Sequence, residues 1–305
     1  MRIVSLLPSS TEILFAIGAG EDVVAVTHEC DHPPAARSRP AVTASAIDHE
    51  GQPCAAIDRH IRSALHAGSS IYRLDEELLE RLRPDLIVTQ ELCEVCAVAY
   101  REVEQAVRRL PAPVPVLSLE PDSLEGILSS ITAVGRMTDR AAQASTVVEG
   151  LRRRIAAAQA AVDPAVPRPR VACLEWTEPL MVGGHWVPDL VARAGGDDVL
   201  GGAGEPSRWV EWEELQAAAP EVVVLMPCGF DLPRTLVEAR AVVGRAEFAA
   251  LPAARSGRVA AVDGSAYFNR PGPRVVAGLE LLAAIFSGRP GGRLPWGAAW
   301  VERAG

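Results

Sequence analysis

Short uninterrupted apolar runs recur along the chain, each succeeded by a stretch whose apolar residues fall three and four apart. Residues 2–7 form the first such run and predict a buried strand. Ser9-Ser10-Thr11-Glu12 then has the capping-box pattern, and the helix it opens runs through Ile17 and stops at Gly18 and Gly20. A second strand is predicted over 23–27, ending in His28-Glu29-Cys30-Asp31-His32-Pro33-Pro34. Helical spacing comes next over 57–67 and 75–82, then a strand over 86–89, a helix over 98–110 and a strand over 114–119. Strands alternating with helices at this spacing predict parallel βα units.

The pattern then changes. Residues 122–136 are amphipathic, and 140–162 give about six helical turns with no proline and Gly150 as the one glycine, until Pro164, Pro167 and Pro169 end them. A helix this long without strand alternation reads as a spacer. Alternation resumes with strands over 170–174, 222–226 and 258–262 and helices over 187–194, 212–219 and 275–286. The Gly- and Pro-rich tail after Ser287 reads as loop. The expected class is α/β: two lobes with parallel-rich sheets flanked by helices, joined by one long backbone helix. Its divisions are an N-terminal lobe over 1–138, the connecting helix over 139–163 and a C-terminal lobe over 164–305, with a ligand held in the cleft between lobes.

Composition narrows the partners. A formal charge of −9 over 305 residues argues against a nucleic acid held through its phosphates. No stretch approaches the roughly 18 apolar residues of a transmembrane segment. The apolar run at the N-terminus is too short for a signal-peptide core, so the sequence as it stands reads as cytoplasmic, and as periplasmic or surface-bound if a leader is missing. Six cysteines in a reducing compartment are thiols, ligands or nucleophiles rather than disulfides.

Ligands of open α/β sheets sit beyond the carboxyl ends of the strands. Beyond the predicted strands lie Pro8-Ser9-Ser10-Thr11, the segment around Cys30, Gln90-Glu91-Leu92-Cys93-Glu94-Val95-Cys96, Glu175-Trp176 and Pro227-Cys228-Gly229-Phe230-Asp231. Cys30, Cys93, Cys96 and Cys228 thus fall at strand ends, whereas Cys173 lies inside a strand as a core residue and Cys54 in an irregular segment. Cys93-x-x-Cys96 has the spacing at which two thiolates share a metal, with Cys30 as a third ligand to an iron–sulfur cluster or zinc. Against that stand cysteine as a small buried hydrophobe and, more weakly, a redox dithiol. His28 and His32 lie in a Pro-bounded loop and suit hydrogen bonding better than ligation.

In the second half, His185 precedes a helix and faces the ligand edge. Trp176 and Trp186 either pack in the core or form an apolar wall for a large planar ligand, Phe230 lines the same cleft, and Trp212 packs in the core. The free backbone N–H groups of Ser9, Ser10 and Thr11, at the helix start beyond Pro8, suit an anionic ligand edge, although capping explains the serines equally well. Arg208 and Arg270 fall in loops and suit carboxylate or phosphate. No Walker loop, GxGxxG, HExxH or GxSxG signature occurs, so no catalytic residue is named.

Several of these segments together resemble the class III periplasmic-binding family, the helical-backbone metal receptors for cobalamin, haem and iron-siderophores. The resemblance runs over Ile3-Val4-Ser5-Leu6-Leu7-Pro8-Ser9-Ser10-Thr11-Glu12, Asp31-His32-Pro33-Pro34, Arg83-Pro84-Asp85-Leu86-Ile87, the spacer helix, Trp212-Glu213-Glu214-Leu215 and Arg270-Pro271-Gly272-Pro273-Arg274. Within the family the chain looks most like the cobalamin-binding proteins of ABC importers. The resemblance implies a small-molecule metal chelate as ligand, cobalamin or a related iron chelate, and an ABC permease as partner. Residues from about 45 to 72 look like an insertion in the first lobe, and the cysteine-bearing segment stands where cobalamin binders carry an aromatic contact. The alternative is a cytoplasmic metalloprotein or enzyme whose cysteines hold a cluster or zinc in the same cleft.

Overall fold

The computed structural model describes residues 1–47, 51–66, 71–90, 100–110 and 112–301. Cys93 and Cys96 lie outside the described residues. In chain order the first elements are β1 (Ile3–Ser5), α1 (Pro8–Ala16), β2 (Val23–Ala25), β3 (Thr43–Ser45), α2 (Cys54–His66), β4 (Tyr72–Leu74), α3 (Glu76–Leu82), β5 (Leu86–Thr89), α4 (Tyr100–Arg108), β6 (Val116–Ser118), α5 (Leu124–Met137) and α6 (Ala141–Ala160). Next come β7 (Arg170–Thr177), β8 (Leu180–Val182), α7 (Val187–Arg193), β9 (Asp197–Asp198), β10 (Arg208–Trp209), α8 (Trp212–Ala218), β11 (Val222–Leu225) and α9 (Leu232–Val243). The chain closes with α10 (Ala246–Ala249), α11 (Pro252–Ser256), β12 (Val259–Val262), α12 (Gly264–Tyr267), α13 (Val275–Ser287) and β13 (Ala298–Trp300).

Two compact units result. The first holds Met1–Glu50, Arg59–Pro121 and Glu125–Gly150; the second holds Gly51–Asp58, Asp122–Leu124 and Leu151–Gly305. The expected boundaries at 138/139 and 163/164 therefore give way to a division inside α6, between Gly150 and Leu151. That helix is continuous, as its Ala-rich, Pro-free sequence predicts, and its 20 residues span about 30 Å.

The first unit's sheet has the order β2-β1-β5-β6, all parallel. Its central strands β1 and β5 are short runs buried on both faces, as helices on either side of a parallel sheet require, while the edge strand β6 is partly exposed. Val4, Leu6, Ala25, Val42, Leu79, Ile87 and Val103 form the core beneath them. Asp75 caps α3 by accepting from the Leu78 N–H at 2.8 Å. The capping box expected at Ser9 is not used: Leu7 is the cap residue, Pro8 starts the helix, and the Ser10 hydroxyl donates to the Leu7 carbonyl.

In the second unit the order is β10-β8-β7-β11-β12-β13, with β9 beside the start of β7. The central strands β7, β11 and β12 are parallel, and β8, β10 and β13 add antiparallel edges. The tail read as loop thus supplies a strand: β13 pairs Ala298 with Val262 and buries Val301 in the core with Phe248 and Leu251. Cys54, expected in an irregular segment, opens α2 and is fully buried in the second unit. Its thiol hydrogen-bonds Thr177, whose hydroxyl donates to Glu238 at 2.6 Å. Burial, assisted by the Glu238 charge, pushes the Cys54 thiol up to about 12, so near neutral pH it is a packed thiol and not a ligand. The Arg234 guanidinium grips the Gln52 carbonyl at 2.8 Å in the same segment.

Among the described residues no helix is long and apolar enough to cross a membrane. Truncation after Ser287 should lower the unfolding temperature by several degrees, because it strips β12 of its antiparallel neighbour and removes Val301 from the core; a tail that were only loop would leave the melting curve unmoved.

Candidate functional site

Each unit carries chemistry at the carboxyl ends of its parallel strands, and the two differ in kind. In the first unit the ends of β1 and β2 close into a buried network of small polar side chains. The Ser5 and Ser10 hydroxyls lie 2.5 Å apart, and the Thr11 hydroxyl donates to that of Ser5 at 2.7 Å. The Cys30 sulfur sits 3.1 Å from Thr11 Oγ1 and 3.2 Å from Thr27 Oγ1. Ser9, Ser10 and Cys30 are buried, whereas Pro8 is partly exposed. Hydroxyl and thiol partners satisfy one another here without a charge, as polar groups in a core must be. His28 reaches Thr43 Oγ1 through Nδ1 at 2.7 Å and tilts against the Tyr72 ring. Cys30 is thus a hydrogen-bonded thiol. Among the described residues no three His, Cys, Asp or Glu side chains are placed to share a metal ion.

The second unit builds its edge around one irregularity. The sequence predicts that the strand ends at Leu174, but β7 runs to Thr177 with a register shift against β8. Leu174 pairs with Val182 and Trp176 with Met181, leaving Glu175 as the extra residue of a bulge. Bulges re-aim side chains, and this one turns Glu175 into the unit's interior, where it is 7% exposed. The Ser207 hydroxyl donates to Glu175 Oε2 at 2.7 Å and accepts from the Gly184 N–H at 3.1 Å. Burial, against that hydrogen bond and with help from the Asp198 charge, raises the Glu175 pKa to about 7. Asp198 is raised by its own burial; one oxygen accepts from the amides of Leu200 and Gly201, and the other has no hydrogen-bond partner among the described residues.

Around the bulge the predicted aromatics do meet. Trp176 stands edge-on to Phe230 at 5.7 Å, and the Arg234 guanidinium lies 3.7 Å from the centroid of the Phe230 ring, so Phe230 is a buried partner inside a stack. Cys228, half-buried, donates its N–H to the Glu175 carbonyl at 3.1 Å. His185 tilts against Trp186 at 5.7 Å, and the indole N–H of Trp186 donates to the Phe268 carbonyl at 2.8 Å. Burial lowers the His185 pKa despite the nearby Asp122 charge, which keeps the imidazole neutral at pH 7.

The two arginines separate. Arg208, expected in a loop, lies in β10 and is tied to Glu214 at 2.6 Å and to the Leu200 carbonyl at 3.1 Å. It borders a cavity of about 460 Å³ shared with Val182, Gly183 and residues 200–202 and 205–207. Arg270 is buried beyond β12, where its charge and that of Arg274 partly offset the burial that raises Asp263. Sequence reading missed Ser207, Gly184 and Asp198: the first two meet only when β8 and β10 pair, and Asp198 is brought close to Glu175 by the pairing of β9 with β7.

A carboxyl whose folded pKa is above its unfolded one stabilises the fold at low pH. For Glu175 that stability is fully present below about 4.5 and is lost as pH rises to about 7. Denaturant unfolding of wild type against Glu175→Gln should therefore show a gap that moves against wild type by about 1–3 kcal/mol between pH 4.5 and 8; a gap independent of pH would contradict the buried titration.

Comparison with known proteins agrees with this architecture. A vitamin B12-binding protein of Yersinia pestis is 23% identical over 230 residues, covering 73% of this chain and 69% of the relative. The apo periplasmic haem-binding protein RhuT from Roseiflexus sp. RS-1 superposes with a TM-score of 0.69 at 25% identity, over 93% of this chain and 97% of that one. The periplasmic vitamin B12-binding protein BtuF of Vibrio cholerae does so with a TM-score of 0.67 at 22% identity, over 93% and 96%. The two solved structures are of periplasmic proteins, and the cytoplasmic reading finds no support in these likenesses. The periplasmic binding protein profile matches residues 3–266, most of the chain, and on that match the protein belongs to the periplasmic binding protein family.

Proposed function

We propose that this protein captures a metal chelate, cobalamin, haem or an iron chelate, as the substrate-binding component of an ABC importer working in the periplasm or at the cell surface. Family membership and relatives named for vitamin B12 and haem support the class of ligand. The observation that carries the reading is the partly exposed His185–Trp186 pair at the start of α7, an aromatic face of the second unit whose interior holds Trp176 packed on Phe230. Flat aromatic and apolar surface with a few placed polar groups suits a macrocycle. His185 is the nitrogen donor best suited to the metal, since burial keeps its imidazole unprotonated. The partly exposed Cys228 offers a softer donor on the same edge.

The test is a panel of aquocobalamin, dicyanocobinamide, haemin and a ferric siderophore, titrated into the purified protein and monitored by absorbance. At least one should bind with a Kd of about 1 μM or below, and Trp186→Ala should weaken it by about 1–3 kcal/mol, roughly 5- to 150-fold, with the fold intact. Unchanged affinity with a lowered melting temperature would make Trp186 a core residue. No binding across the panel would remove the reading.

A further inference from the structure

Glu175 faces inward, so its carboxylate is not available to hold a ligand directly. It reaches Ser207 instead, and Ser207 reaches the turn that carries the wall. We propose that Glu175 is a positioning residue, acting through Ser207 on the His185–Trp186 turn, and that its ionisation sets how firmly the turn is held. The consequence for affinity rests on the chelate-binding reading; the positioning itself does not.

The geometry makes one connected path. The Ser207 hydroxyl stands between the Gly184 N–H and Glu175, accepting from the first and donating to the second. Gly184 allows this because its backbone is pressed against the loop: a Cβ there would fall 2.4 Å from Ser207 N and 2.5 Å from the Glu205 carbonyl oxygen. One residue on, His185 is held at φ 50°, a conformation that only an imposed fit maintains in a side-chain-bearing residue. The fit comes from two backbone bonds to the same loop, His185 N–H to Glu205 O at 2.6 Å and Gly204 N–H to His185 O at 2.9 Å. Trp186 then hangs from the turn with its indole fixed to Phe268. The cavity along 200–202 and 205–208 leaves that loop a side on which it can shift if its inner bond weakens.

A hydroxyl donates more strongly to a carboxylate than to a neutral carboxyl, by about a factor of two in energy. Ionised Glu175 therefore pins Ser207, and neutral Glu175 loosens it. The groups electrostatically coupled to Glu175 are Asp198, which disfavours its charge, and Cys173 on the same strand, whose own thiol is pushed well up by burial and by those two carboxyls. The loop's Arg208 is committed to Glu214 and His185 titrates below its usual range; Asp198 and Asp263 are also raised by burial, so the Glu175→Gln variant is what assigns a step near neutrality to Glu175.

The experiment tracks the Trp186 indole resonance in uniformly nitrogen-15-labelled protein from pH 5 to 9, with Trp186→Phe identifying the signal. Wild type should show a step near pH 7 that disappears in both Glu175→Gln and Ser207→Ala, while a lower step from His185 stays in both. For a chelate that binds, haemin or aquocobalamin, the ratio of wild-type to Ser207→Ala affinity should rise about fivefold between pH 6 and 8. A Trp186 signal without a step near 7, or a step that survives in either variant, overturns the proposal. Because the resonance needs no ligand, failure of the panel and failure of this positioning are separate results.

Discussion

Taking a carboxylate out of water costs several kcal/mol unless hydrogen bonds or counter-charges replace the solvent. Glu175 is taken out of water by a bulge in β7, and among the described residues no arginine or lysine compensates it. Burial moves its titration up to about 7, the Ser207 hydroxyl opposing the shift and the Asp198 carboxyl adding to it. The rest of the second unit's edge depends on that placement. The bulge lets Trp176 pack on Phe230, the serine ties the 201–207 loop to Gly184, and the loop holds His185 in a left-handed turn beside Trp186.

The first unit handles the same strand-end problem without charge. Ser5, Ser10, Thr11, Thr27 and Cys30 hydrogen-bond one another beyond the ends of β1 and β2 through uncharged side chains. Among the cysteines, Cys30 is hydrogen-bonded, Cys54 is buried at a helix start and Cys173 is packed in a strand.

Much of the fold was legible because it rests on local signals. The run Leu86–Thr89 is a buried parallel strand from its composition alone, and the Pro-free Ala-rich run could only be helix. The features that escaped depend on pairing between distant segments. The Leu180–Val182 and Arg208–Trp209 strands are too short to show a period and exist because each completes a ladder. The last strand hides in a Gly- and Pro-rich tail that carries no strand alternation, yet Val301 fills the core. At the site, residue types named Trp176, His185, Trp186 and Phe230, and the structure packs Trp176 on Phe230 and His185 against Trp186. The inward turn of Glu175 could not be read, since β7 is buried on both faces and has no alternation whose phase an added residue would shift. Arg208 and Ser9 looked available for anions, but one is paired with Glu214 and the other buried.

The central claim is that the second unit's strand-end wall receives the chelate. Hydrogen–deuterium exchange, with and without the panel member that binds, tests it at the level of segments. Saturating chelate should slow exchange in the peptides covering 175–186 and 226–230 while leaving β11 and β12, already buried, unchanged. Protection confined to other parts of the chain, with those two peptides unaffected, would contradict the assignment.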